Sequence, residues 1–178
     1  VLEKRFVIAL PGRVSRRKGV LHLVRIVAGL QGRGIPAHGL IVGEPPSPGS
    51  RFARELYAEV AAAGGADAIT LTGYRQDVRQ IMSVSDVVLS LSIDPEAFGR
   101  TVNEALALGI PVAAYAHGGV GEQLARHFPP GQVLPGDVVA MTGRLADWSL
   151  TPPSMRDVQV YDLQEMTEST LALYCDLA

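Results

Sequence analysis

Cysteine, lysine and aromatic side chains are what this sequence has least of: one Cys175, two lysines (Lys4, Lys18) and 6% aromatics in 178 residues. A single cysteine excludes an internal disulfide and a cysteine metal cluster, and it suits a reducing compartment. The four histidines, His22, His38, His117 and His127, are scattered, with no metal-ligand spacing and no Ser/His/Asp order. No apolar run approaches the roughly 18 to 20 residues of a membrane span, and the opening VLEKRFVIALPGR lacks a secretory pattern, so the chain reads as cytosolic. A net charge of −2 gives no general attraction for nucleic acid or anionic membrane; any anion must be held by a local site.

What is present is apolar. The chain is 47% hydrophobic and 19% charged, the balance of a well-buried domain rather than a disordered one. Its length suits one domain that buries about 70% of its unfolded surface. Short runs rich in β-branched residues recur at 5–10 (RFVIAL), 37–43, 68–73, 86–92, 111–116 and 131–135. They read as parallel strands covered on both faces, where alternation disappears. Between them helical periodicity predicts helices near 18–32, 51–63, 76–84, 100–108, 120–127, 137–148 and 162–177; Val20, Leu23, Val24, Val27 and Leu30 form the stripe of the first. Strand and helix alternating in this way predict an α/β fold: a doubly wound, Rossmann-like parallel sheet of about six strands with helices on both faces. Ligands then belong beyond the carboxyl ends of the strands.

Three strand-to-helix loops carry candidate chemistry. The first, LPGRVSRRKGV, sets Arg13, Arg16, Arg17 and Lys18 around Gly12 and Gly19. Clustered cations beside glycines at a helix start suit a phosphate, and a solvated basic turn explains them equally well. Neither G-x-x-x-x-G-K-[ST] nor G-x-G-x-x-G occurs. The second loop, LTGYR, offers Gly73 for close approach and Tyr74 or Arg75 to stack on a planar base; a turn with a salt-bridge partner is the plainer reading. The third is PEAFGRTVNEALALG, where Gly99, Arg100 and Thr101 present unpaired first-turn N–H groups between Glu96 and Glu104. If the whole span is helical, eight residues at about 1.5 Å each part the two carboxylates by about 12 Å, too far to share one scissile bond. The spacing fits two grips on one elongated ligand. Glu122, in AHGGVGEQL, is explained by a helix start, and His117 reads equally as a packed or solvated loop residue and as a functional one.

Taken together, GRVSRRKG (12–19), LTGYR (71–75), SLSIDPEAFGRTVNEALALGIPVAAYAHGGVGE (90–122) and LALYCDL (171–177) resemble the C-terminal, donor-binding domain of the group 1 (family 4) retaining glycosyltransferases of the GT-B fold. The resemblance implies a role for each matching position. Arg13 and Lys18, beside Gly12, would neutralise a donor diphosphate. The first-turn amides of Gly99, Arg100 and Thr101, after Phe98, would bind its oxygens. Glu104 would accept hydrogen bonds from the ribose, Tyr74 and Arg75 after Gly73 would lie along the base, and Glu96 would hold the transferred sugar. No cofactor and no metal are expected, the substrate being a nucleoside-diphosphate sugar. The loop GEPPSPGS is bulkier than the family's Gly-x-Gly, so donor contacts from Gly43 and Glu44 are not expected.

Residues 1–178 are thus expected to form one half of a GT-B enzyme, its N-terminal acceptor domain absent, binding nucleotide weakly and unable to transfer sugar alone. The full-length enzyme is expected to move a hexose to a glycan or glycolipid acceptor in cell-surface polysaccharide or lipopolysaccharide synthesis. Its place is the cytoplasm, including the inner face of the membrane. Alternatives from the same residues are a GT-B nucleotide-sugar epimerase and a non-catalytic nucleotide-sugar binding module.

Overall fold

The computed structural model describes residues 5–156 and 158–176. Lys4 and the final Leu177 of LALYCDL lie outside them. Six parallel strands form a single sheet in the order β3-β2-β1-β4-β5-β6. They are β1 (Phe6–Pro11), β2 (Ala37–Val42), β3 (Ile69–Gly73), β4 (Val87–Ser90), β5 (Val112–Tyr115) and β6 (Gln132–Val133). The helices are α1 (Val20–Gln31), α2 (Arg51–Ala62), α3 (Val78–Ser83), α4 (Arg100–Ala107), α5 (Gly118–His127), α6 (Val138–Leu150) and α7 (Leu163–Asp176).

The chain builds outward from β1 in one direction, then returns and builds outward from β4 in the other. Right-handed crossovers therefore put α1 and α2 on one face and, once the direction reverses, α3, α4 and α5 on the other; α1 packs on α2 and on the returning α6, and α4 on α3 and α5. The apolar runs become the core: Ile8, Ala9, Val87, Val88, Leu89 and Val112 to Tyr115 are all essentially inaccessible. Double coverage holds for these central strands but not for β3, which buries only Ile69 because it forms the sheet edge. The order reverses between β1 and β4, opening a crevice at their carboxyl ends. No helix of the described residues is long and apolar enough to cross a membrane.

Candidate functional site

The first loop leaves β1 through Gly12 and Arg13 and tightens into a 3-10 turn, Arg16–Lys18, whose Lys18 amide is capped by the Ser15 side chain. Gly19 ends the turn at φ +69°, and a Cβ there would stand 2.1 Å from the Leu91 carbonyl oxygen. The turn lies directly against the exit of β4, where the Ile93 amide donates to the Arg17 carbonyl at 2.8 Å. This geometry corrects the expected cation cluster. A 3-10 turn has about three residues per turn, so successive side chains point in different directions. Arg16 pairs with Glu55 and lies over the Phe52 ring, Arg17 meets Asp94 at 3.0 Å, and Lys18 meets Glu96 at 2.5 Å. Arg13 has no carboxylate partner among the described residues and faces the crevice.

Glu96 is not helical, so the condition behind the 12 Å axial separation does not hold. It forms a parallel bridge to Gly118, and its carbonyl accepts from the Gly119 amide at 2.8 Å. Its side chain is 19% exposed, and Oε1 accepts from both Lys18 Nζ and Ser92 Oγ. Burial pushes the Glu96 carboxyl up, but the hydrogen bonds from Lys18 and Ser92, with the charges of Lys18 and Arg17, leave it below the usual glutamate value. His117 Nε2 lies 2.9 Å from the Ser92 carbonyl, which can only accept, so the ring proton belongs on Nε2. Helix α5 begins at Gly118, two residues earlier than expected, so Glu122 sits beyond its first three positions.

Gly99 opens α4 at φ +82°, with no side-chain cap; a Cβ there would come within 2.4 Å of Val120 Cγ2. The Val102 amide turns back to the Gly99 carbonyl at 3.0 Å, which leaves the Arg100 and Thr101 amides as open donors. Glu104 follows one turn later, on the same side as these two residues. Arg100, Thr101 and Glu104 line a cavity of about 390 Å³ with Gly12, Arg13, Gly43, Glu44, Tyr74 and Arg75. Here Gly43 and Glu44 rejoin the site despite the bulky loop, because that loop leaves β2 beside β1 and β3.

The remaining expected residues stand differently. Tyr74 is 72% exposed over the cavity mouth. Arg75 lines the cavity but is clamped to Asp77 by bonds of 2.7 and 2.6 Å, the salt-bridged turn of the plainer reading. Gly73 bridges Gly43 at φ +73° and is not among the lining residues. The Phe98 ring faces away, 5.9 Å from Tyr161 in a separate cleft shared with α7, so it is not placed to touch a ligand among the loops. Lys18 and Glu96 also lie outside the 390 Å³ cavity, forming a second cluster with Ser92. Sequence reading missed Ser92; its only signal was a polar residue at the end of an apolar strand.

Besides the Phe98–Tyr161 cleft, of about 470 Å³, two other clefts larger than the 390 Å³ cavity converge no comparable chemistry. One, of about 660 Å³, lies under the proline-rich loop; the other, of about 490 Å³, lies at the amino-terminal ends of the strands. In the latter, Arg5 is spent on the Asp67 carbonyl and Asp86 on the Val7 amide.

The family model described as glycosyl transferases group 1 matches residues 1–159. The chain is 33% identical over 150 residues to a 2-deoxystreptamine glucosyltransferase of Streptomyces kanamyceticus, covering 79% of this chain and 37% of that one. Its fold is similar to Anabaena HepE, solved in complex with UDP and glucose, with a TM-score of 0.79 at 23% identity over 94% of this chain and 48% of that one. It is also similar to the C-terminal domain of a glycosyl transferase group 1 family protein (LpcC) of Francisella tularensis, with a TM-score of 0.70 at 22% identity over 85% of this chain and 81% of that one. The chain thus spans little more than a third of the curated relative's length.

Proposed function

The chain belongs to the group 1 glycosyltransferases, and from that premise we propose that its residues form the nucleotide-sugar-binding half of a retaining hexosyltransferase. The observation that carries this reading is the convergence of Arg13, the open amides of α4 and Glu104 on one cavity at the carboxyl edge of the sheet. A nucleoside diphosphate asks for that combination: positive charge and N–H groups for its phosphates, and a carboxylate for its ribose hydroxyls.

The proposed orientation of the ligand follows the order of the strands. The diphosphate lies at the β1–β4 crevice between Arg13 and the α4 amides, with Lys18 behind them. The nucleoside extends over β2 and β3, where Glu104 takes the ribose and Tyr74 covers the base. The sugar points toward β5, where Glu96 is bridged to Gly118. Transfer breaks the bond between the anomeric carbon and the phosphate oxygen, and the diphosphate leaves with the electron pair. An acceptor hydroxyl oxygen bonds to the anomeric carbon and its proton passes to the leaving phosphate. Arg13, Arg100 and the helix amides stabilise the charge that develops there, and Glu96 steadies the sugar as positive charge grows. No resident metal enters this proposal.

The acceptor is presented by residues outside these 178, which fits a chain spanning 37% of its relative. A glycan or glycolipid hydroxyl at the cytoplasmic face is the proposed acceptor. The Streptomyces relative, named for 2-deoxystreptamine, adds aminocyclitols to the classes worth testing. Because the Anabaena neighbour was solved with UDP, UDP is the first nucleotide to try.

The test is calorimetry with UDP, GDP and ADP, free and sugar-linked. Binding is expected for one base, weakened about 10- to 100-fold by Arg13→Ala, the worth of a charge-assisted hydrogen bond. Failure of every nucleotide to bind at millimolar concentration, or an unchanged affinity in Arg13→Ala, overturns the proposal.

A further inference from the structure

The exit of β4 carries a buried hydroxyl to which the donor reading gives no task. Ser92 is 4% exposed, and its hydroxyl donates to Glu96 Oε1, the oxygen that Lys18 Nζ also reaches at 2.5 Å. Its own position is pinned from a third element: His117, at the start of α5, donates to its carbonyl at 2.9 Å. Among the described residues Glu96 Oε2 takes no hydrogen bond. An ammonium on a flexible stem is a poor guide to carboxylate orientation, because its three donors rotate and either oxygen can serve. The terminal torsion of a glutamate is broad and nearly two-fold, so a point charge alone leaves its plane free. A hydroxyl held on a fixed backbone supplies the missing direction.

We propose that Ser92 is a positioning residue: together with Lys18 it fixes Oε1 of Glu96, so that Oε2 is the oxygen presented to a hydroxyl of the transferred sugar. This rests on Glu96 being the sugar contact. The ligand class it serves is a hexose that offers a hydroxyl donor to Oε2, with Ser92 itself making no contact to substrate. The same hydrogen bond favours the ionised carboxylate, in agreement with its low-lying titration.

The experiment uses the whole 178-residue chain with glutamate carboxyls labelled with carbon-13, and compares Ser92→Ala, Ser92→Thr and Glu96→Gln. The Glu96 carboxyl titration is expected to move to higher pH in Ser92→Ala and to return in Ser92→Thr, which restores the hydroxyl. An unmoved titration overturns the proposal whether or not any nucleotide binds. Calorimetry with UDP against UDP-glucose, and GDP against GDP-mannose, gives the second readout. Ser92→Ala is expected to lower affinity for the sugar nucleotide by about three- to tenfold more than for the bare nucleotide. If Glu96→Gln removes that sugar increment and Ser92→Ala does not, positioning by Ser92 is wrong. If Glu96→Gln keeps the increment while Ser92→Ala shifts the titration, Ser92 orients Glu96 but not for a sugar; both the sugar-presenting step and the donor role of Glu96 then fall.

Discussion

Gly19→Ala is the substitution whose cost follows most directly from the geometry. The residue sits at φ +69°, where an L side chain costs about 1–2 kcal/mol. Its new Cβ would also stand 2.1 Å from the Leu91 carbonyl oxygen and 2.6 Å from Leu91 Cβ. Both contacts are backbone-anchored, so relief requires the Lys18 turn and the exit of β4 to separate, at an overpacking cost of about 1–3 kcal/mol. The sum is about 2–5 kcal/mol, or a fall in Tm of about 4–20 °C at about 2–4 °C per kcal/mol for a chain of this size. Gly49→Ala is the control: its φ is +75°, with nothing within 4 Å of the added Cβ, so it bears only the backbone term of about 1–2 kcal/mol. Calorimetric melting of the two variants beside the parent reads the difference. Equal losses would refute the reasoning, because the close approach of Gly19 to Leu91 would then contribute nothing.

Three further outcomes follow from other parts of the molecule. Glu104→Ala is expected to weaken bare and sugar-linked nucleotide alike, by about 10- to 100-fold in calorimetry, since a ribose contact is common to both; a loss confined to the sugar nucleotide contradicts the assignment. Glu96 holds its proton less readily folded than unfolded, so its contribution is present above the ordinary value of 4.5 and is lost as pH falls through the lower folded-state value. Urea unfolding of Glu96→Gln should show a shallower loss of stability below that pH than the parent, and an identical slope counts against the Lys18 pair. His22 is displaced downward by burial first and by the Arg25 charge second, so the unfolded chain protonates first on acidification. Stability should therefore fall as pH drops below 6.5, less steeply in His22→Gln, and the same slope in both would exclude His22 as a source.

The order of strands and helices was legible because a central parallel strand is apolar on both faces and a surface helix keeps its stripe. Phe6–Pro11 and Val112–Tyr115 lie within one residue of the runs marked by composition alone. The candidate site was legible at its backbone-determined points: Gly12 with Arg13, and Gly99 with the open turn that follows. Side-chain partners were another matter. Arg16 finds Glu55 at a separation of 39 residues and Lys18 finds Glu96 at 78, and no local pattern announces such pairs. Four basic positions within six residues therefore suited one anion cradle as well as a solvated turn, while the tight turn sends three of them to separate carboxylates. Phe98 was misassigned for a related reason. Its neighbours in sequence belong to the Gly99 turn, but its ring meets Tyr161, which the segment after α6 brings across when the Tyr161 amide and carbonyl clasp Asn103 at 3.1 and 3.0 Å. Glu44 was discounted on loop bulk, yet parallel pairing of β2 beside β1 brings its loop to the cavity whatever its length.

The roles proposed for Arg13, Glu96 and Glu104 all depend on a nucleoside-diphosphate sugar binding across the carboxyl ends of these strands. The most direct measurement is a nitrogen-15 amide titration of the chain with UDP-glucose, GDP-mannose and their bare nucleotides. For the ligand that binds, the largest shifts should fall on Gly12, Arg13, Arg100 and Thr101, with the bare nucleotide moving the same amides and the sugar adding shifts at Glu96 and Gly118. Shifts concentrated instead around Trp148 and Met155 at the amino-terminal ends of the strands, or none at all with any of the four ligands, would contradict it.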